Sequence, residues 1–253
     1  MNPTGNTILI TGGGSGIGRG LAEALHALGN QVVIAGRRKQ ALDETTAANP
    51  GMKSLQLDIE DPAAIRAFAA QLTASFPKLN VLINNAGIMR AEKLLAQQDD
   101  LTDAEAMVTT NLLGPIRLTA ALLPHLGQQA SATILNVSSG LAFVPLAYTP
   151  TYCATKAAIH SYTQSLRYQL KDTAIEVLEL IPPYVQTDLM AGAEDPRAMP
   201  LAKFLAEVME ILQTQPTPPE ICVQNVNGLR LAAENGHYEA VFSGLNAAMA
   251  DVH

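Results

Sequence analysis

Residues 6–29 read NTILITGGGSGIGRGLAEALHALG, and this stretch decides the fold. An apolar run, Ile8 to Ile10, leads into a turn carrying Gly12, Gly13, Gly14, Gly16 and Gly18, and a helical pattern follows. A strand, a glycine-rich turn and a helix in that order are the context a dinucleotide site demands. Gly12 and Gly16 lack the Cβ that would block a tight turn or a close phosphate. Gly18 lets the helix sit close to the sheet. The first helical turn, with Ile17 in it, offers free N–H groups and a positive dipole end to a pyrophosphate. The Ser15 hydroxyl can reach the same oxygens.

Outward from this unit, strand-like and helix-like segments alternate. Strands are expected at 7–11, 31–35, 53–58, 80–84, 132–138 and 175–181, with helices at 16–28, 38–47, 62–75, about 102–126 and 151–171. That alternation builds an α/β fold: a single-domain, Rossmann-type, doubly wound parallel sheet with helices on both faces. Ligands of such sheets bind beyond the C-terminal strand ends. The second strand ends at Gly36, where an acidic residue would bind a ribose 2′-hydroxyl; Arg37 and Arg38 follow instead. Two guanidiniums without a carboxylate suit a 2′-phosphate, so NADP(H) is preferred, with NAD(H) left open.

The segment YCATKAAIHSYTQSLRYQL places Tyr152 and Lys156 four residues apart on one helix face, about one turn or ~6 Å from each other. A neighbouring ammonium favours a phenolate, so the pair reads as a tuned proton donor and acceptor. Ser139 stands at the end of an apolar run, where its hydroxyl can hold a carbonyl oxygen. Leu141, Phe143, Pro145, Leu146 and Tyr148 come next and are read as a mostly apolar pocket for a small hydrophobic carbonyl or alcohol.

The chain has 253 residues, of which 15% are charged and 48% hydrophobic, as expected of a sheet buried on both faces. With a net charge of -7, no basic concentration points to nucleic acid or an anionic membrane. Cys153 and Cys222 stand far apart, and no histidine pairs with them or with a carboxylate at ligand spacing, so no metal is expected. No basic segment followed by a long apolar run opens the chain, and no stretch is read as long enough to span a bilayer. A cytoplasmic setting is the expectation.

TGGGSGIG, NNAG, NVSSG and YCATK, in this order and spacing, resemble the short-chain dehydrogenase/reductase family over roughly residues 5–190. The run SSGLAFVPLAYTPTYCATKAAIHSYTQSLRYQL, with PPYVQTDL after it, further resembles a bacterial branch named for the oxidoreductase of the D-alanylation operon of lipoteichoic acid, a name that implies little about substrate. The resemblance implies catalysis by Ser139, Tyr152 and Lys156. Asn111 would help hold a water relay to the lysine. Gly12, Gly16 and Gly18 would form the phosphate loop, Asp58 with Ile59 would meet the adenine, and Asn85, Ala86 and Gly87 would wall the adenosine half. Thr187 and the Val185 backbone would contact the nicotinamide carboxamide.

Two departures stand out. Pro182-Pro183 replaces the family's Pro-Gly after the sixth strand, which fixes φ and removes a backbone donor. The C-terminal HYEAVFSGLNAAMADVH (237–253) reads as a helix or tail rather than the strand on which family tetramers are built. A homo-oligomer is still expected, as a dimer through the long helices or a tetramer. The proline-rich stretch and amphipathic helix at about 188–216 read as a substrate-covering insertion. The reaction expected is reduction of a ketone or aldehyde, or its reverse. Members of this fold that only sense cofactor or bind a partner usually lose the Tyr or Lys, and both are present here.

Overall fold

The computed structural model describes residues 1–96, 99–190 and 195–250. Seven strands form one sheet: β1 (Thr7–Thr11), β2 (Gln31–Gly36), β3 (Lys53–Gln56), β4 (Leu79–Asn84), β5 (Ala132–Val137), β6 (Ile175–Leu180) and β7 (Glu220–Ile221). Their order is β3-β2-β1-β4-β5-β6-β7, and every pairing is parallel. The chain moves outward from β1 to β3, then returns to β1's other side with β4. That reversal opens a crevice beyond the C-terminal ends of β1 and β4.

The strands bury both faces, and side chains alternate between two layers. Ile8, Ile10, Val32, Ile34, Val81 and Ile83 point to one layer, while Leu9, Val33 and Leu82 point to the other. The first layer is closed by helices α1 (Gly16–Ala27) and α2 (Lys39–Ala48), and later by α7 (Leu201–Gln213). The second is closed by α3 (Pro62–Ser75), by α5 (Gly114–Leu126), which follows the short α4 (Thr102–Val108), and by α6 (Pro150–Gln169). Two further helices, α8 (Asn227–Arg230) and α9 (Tyr238–Ala250), end the described chain.

The segment expected as one helix at 102–126 is continuous but not uniform. A five-residue π-helical turn, Thr109–Leu113, joins α4 to α5. Pro115 follows directly and, having no N–H, donates no bond back into the π turn. An 18-residue window of this 25-residue helix has a mean hydropathy of 1.3, so by length and composition alone it passes for a membrane span. Its Leu118, Leu122 and Leu126 are packed into the second layer, the position of a core helix.

Candidate active site

The crevice is a cavity of about 540 Å³ that runs from Arg38 to Leu245. Its floor is the glycine turn. Gly12 (φ +68) and Gly16 (φ +52) lie in the left-handed region that favours glycine. A Cβ on Gly12 would come within 2.9 Å of Asn85 Nδ2, and one on Gly18 within 2.4 Å of the Gly12 carbonyl. Gly18 therefore sits behind the turn as a packing point, while Gly12, Ser15, Gly16 and Ile17 face the cavity. The turn is pinned to β4 by a residue that motif reading passed over. The Thr11 hydroxyl accepts from the backbone N–H of Asn85 (3.0 Å) and of Ala86 (3.1 Å), and Asn85 Nδ2 donates back to the Thr11 carbonyl at 3.0 Å. This narrow, donor-lined cradle fits a dinucleotide pyrophosphate.

The two arginines have different partners. Arg37 pairs with Glu60 at 2.7 Å, and the same carboxylate oxygen accepts from Thr110. Arg38 donates to Ser15 Oγ at 2.8 Å and so leans over the phosphate turn. Ile59, Asn85, Ala86 and Gly87 line the cavity, as do both arginines. Asp58 does not: it is exposed, and its Oδ1 accepts from the Glu60 N–H at 3.0 Å.

At the other end Ser139, Tyr152 and Lys156 come together and are buried, at 8%, 6% and 5% exposure. Their elements explain this. Ser139 follows β5 and caps a short turn through Leu141 N–H. Tyr152 lies in the first turn of α6, which Glu92 anchors. That buried carboxylate accepts from Thr151 N–H (2.9 Å) and Thr151 Oγ1 (2.8 Å), a favourable place for an anion at a helix N-terminus. Lys156 Nζ lies 5.6 Å from the Tyr152 ring centre and donates to the Val137 carbonyl at 2.8 Å.

Burial dominates the electrostatics. It pushes the Tyr152 phenol well above its ordinary value, and a hydrogen bond with Ser139 pulls it part of the way back. It also pushes Lys156 down to about 8, against an opposing pull from Glu179. The sequence expectation of a phenol acidified by its lysine is thus outweighed by desolvation of the phenolate.

Asn111, in the π turn, does not direct its amide at the lysine. Oδ1 accepts from Ile88 N–H and Nδ2 donates to the Ile88 carbonyl, both at 2.8 Å, and Nδ2 also reaches Thr155 Oγ1 at 3.2 Å. The side chain thereby fixes the segment after Gly87.

Val185 and Thr187 both line the cavity, and Thr187 lies 3.5 Å from the position of a Cβ on Gly16. Val185 forms a bridge with Met199, whose N–H and carbonyl bond to Tyr184 and Gln186. The Pro182 carbonyl accepts from Gly140 N–H at 2.9 Å, so the double proline still holds the residue after Ser139. Of the 188–216 stretch, residues 191–194 lie outside the described residues. Its helix α7 buries Phe204, Val208 and Leu212 in the first layer, while Asp188 and Leu189 before it line the cavity.

Helix α9 also reaches this end of the cavity. Leu245 lines the cavity, and Asn246 clamps the loop after Ser139 by accepting from Ala147 N–H (2.7 Å) and donating to the Pro145 carbonyl (3.2 Å). Helical periodicity marked α9 but not what it covers. Of the five residues read as pocket, Leu141 and Leu146 line the cavity. Phe143 does not: it meets His160 edge-on at 4.6 Å, beneath Arg230.

The chain belongs to the short chain dehydrogenase family, whose model matches residues 6–198. It is similar to "Uncharacterized oxidoreductase DltE" of Bacillus subtilis (strain 168), with 39% identity over 97% of this chain and 98% of that one. Among solved structures, it resembles a short-chain dehydrogenase from Sphingobium yanoikuyae in complex with NADPH, with a TM-score of 0.79 and 26% identity over 94% and 95% of the two chains. It also resembles 3-ketoacyl-(acyl-carrier-protein) reductase from Brucella melitensis complexed with NADH, with a TM-score of 0.76 and 27% identity over 84% and 92%.

Proposed function

We propose that this oxidoreductase reduces a ketone or aldehyde to an alcohol with NADPH, or runs the reverse oxidation, through Ser139, Tyr152 and Lys156. The observation that carries this reading is one cavity with a glycine cradle at one end and these three buried side chains at the other. When bound, the nicotinamide supplies or accepts a hydride. The chain's own residues do the rest. Ser139 and Tyr152 hydroxyls hold the carbonyl oxygen, where placed donors stabilise the growing negative charge. Tyr152 gives that oxygen its proton. Lys156, fixed on Val137, offers its remaining donors to the ribose.

Arg38 is the better candidate for a 2′-phosphate, because Arg37 is committed to Glu60. A spectrophotometric screen of ketones and aldehydes, run in parallel with NADPH and NADH, tests the proposal; no oxidation of either cofactor across a broad panel would end it. Arg38→Ala is expected to raise the KM for NADPH about 10- to 100-fold, the worth of one hydrogen bond to a charged group. The KM for NADH should stay within about twofold.

The pocket wall supplied by α9 makes a second expectation. Asn246→Ala removes the clamp on the 145–147 loop. Its hydrogen bonds are each worth about 1 kcal/mol, so the KM for the carbonyl substrate should rise roughly three- to tenfold. Initial rates should show kcat and the KM for NADPH nearly unchanged.

A further inference from the structure

Glu179 is completely buried, on the face of β6 that α6 covers. An isolated carboxylate there would cost several kcal/mol, so its partners matter. One oxygen accepts from Ser138 Oγ, and both lie within hydrogen-bond distance of His160 Nδ1, at 3.0 and 2.9 Å. Both partners lead back to the catalytic lysine. Ser138 shares a peptide unit with the Val137 carbonyl that holds Lys156. His160 is one turn beyond Lys156 on α6, so Tyr152, Lys156 and His160 form one stripe facing the sheet. The contacts close a ring: lysine, strand end, Glu179, histidine, and along the helix back to the lysine.

The other charges near Glu179 largely cancel. Its register partner on β7 is Glu220, which Arg230 on α8 holds at 2.7 Å. Cys222 lies two residues beyond Glu220, just past the strand. His160, Glu179 and Glu220 offer ligand atoms within 4.8 Å of one another, yet Ser138 and Arg230 already engage the two carboxylates, which speaks for an ion-pair network rather than a metal centre.

We propose that Glu179 is a positioning residue: its carboxylate, held by Ser138 and His160, is the negative charge behind Lys156 that keeps the lysine an ammonium at working pH. This rests on the oxidoreductase reading above. The burial that pushes Lys156 down to about 8 would carry it lower without the opposing pull of Glu179. Reduction needs the charged lysine, so its rate falls as pH rises through the lysine's titration. Removing the Glu179 charge moves that fall to lower pH.

The test is Glu179→Gln, which keeps the shape and removes the charge. The expected shift is about one unit, the low end of what an opposite charge does to a neighbour. One unit lowers the reduction rate about fivefold near pH 8 and leaves it within about 1.2-fold near pH 6, by the titration curve alone. A merely structural defect would lower both alike. Independently of turnover, NMR of protein isotope-labelled at the lysine ε-carbon follows Lys156 directly, assigned by the signal lost in Lys156→Met. Its midpoint should fall by the same unit in Glu179→Gln and stay near the wild-type value in Glu179→Asp. If Glu179→Gln does not fold, the double variant E179Q/H160Q leaves an uncharged amide pair and carries the same expectation. An unmoved Lys156 midpoint in either folded variant overturns the proposal. Wild-type protein that oxidises no NADPH or NADH with any carbonyl would instead overturn the oxidoreductase reading.

Discussion

Tyr152→Phe is expected to lower turnover by ~10²- to 10⁴-fold, the usual worth of a positioned general acid, while NADPH affinity stays within about twofold. The ring survives the change and only the hydroxyl is lost, so packing around α6 should hold. The expectation gains force from burial. A phenol pushed above its ordinary value keeps its proton through the neutral range, which suits donation to an oxygen that is gaining charge. Lys156, brought down to about 8, is still mostly an ammonium below that pH. The pair is therefore set up to give a proton in the reductive direction. Steady-state rates with a substrate found in the screen, together with calorimetric titration of NADPH, check both halves. A Phe variant that keeps its turnover would remove Tyr152 from the chemistry. One that loses NADPH affinity would show that the hydroxyl serves binding instead.

What could be read from the sequence follows from the range of the interactions. The strands were legible because a sheet buried on both faces needs continuous apolar runs, and six of the seven fall within two residues of expectation. β7 has only two residues and no period to detect. The long helix was legible as a helix, but its π turn leaves no mark on the hydrophobic pattern. The use of Asn111 to clasp Ile88 was hidden with it.

The glycine turn and the Tyr-x-x-x-Lys pair were legible because their chemistry depends on spacing within one segment. Thr11, Glu92, Glu179 and Asn246 act on the partners named above, 19 to 101 residues distant, and only the topology brings them there. Phe143 and the phenol's acidity were misjudged for a related reason. Apolar character does not reveal which cavity a ring enters, and helix spacing does not reveal how dry the helix face becomes.

Gly18→Ala should be the most damaging added methyl among the described glycines. Gly18 is the third residue of α1, where helix propensity alone would favour alanine by up to about 1 kcal/mol. The added carbon would sit 2.3 Å from Asn85 Nδ2 and 2.4 Å from the Gly12 carbonyl. The amide could swing aside, but the carbonyl is backbone and belongs to the phosphate turn itself. Overpacking of this kind costs about 1–3 kcal/mol or more, so the clash outweighs the propensity and the sign is destabilising. Relief requires the turn to move, which couples stability to binding: the melting temperature should drop by several degrees and NADPH affinity by at least about tenfold. Gly244→Ala is the matched control, since it lies within α9 with nothing within 4 Å of the added carbon. There propensity acts unopposed, and the melting temperature should rise or hold. Thermal unfolding of both variants with and without NADPH separates the outcomes. A Gly18→Ala protein that melts and binds like the wild type would mean the turn has slack that these distances deny.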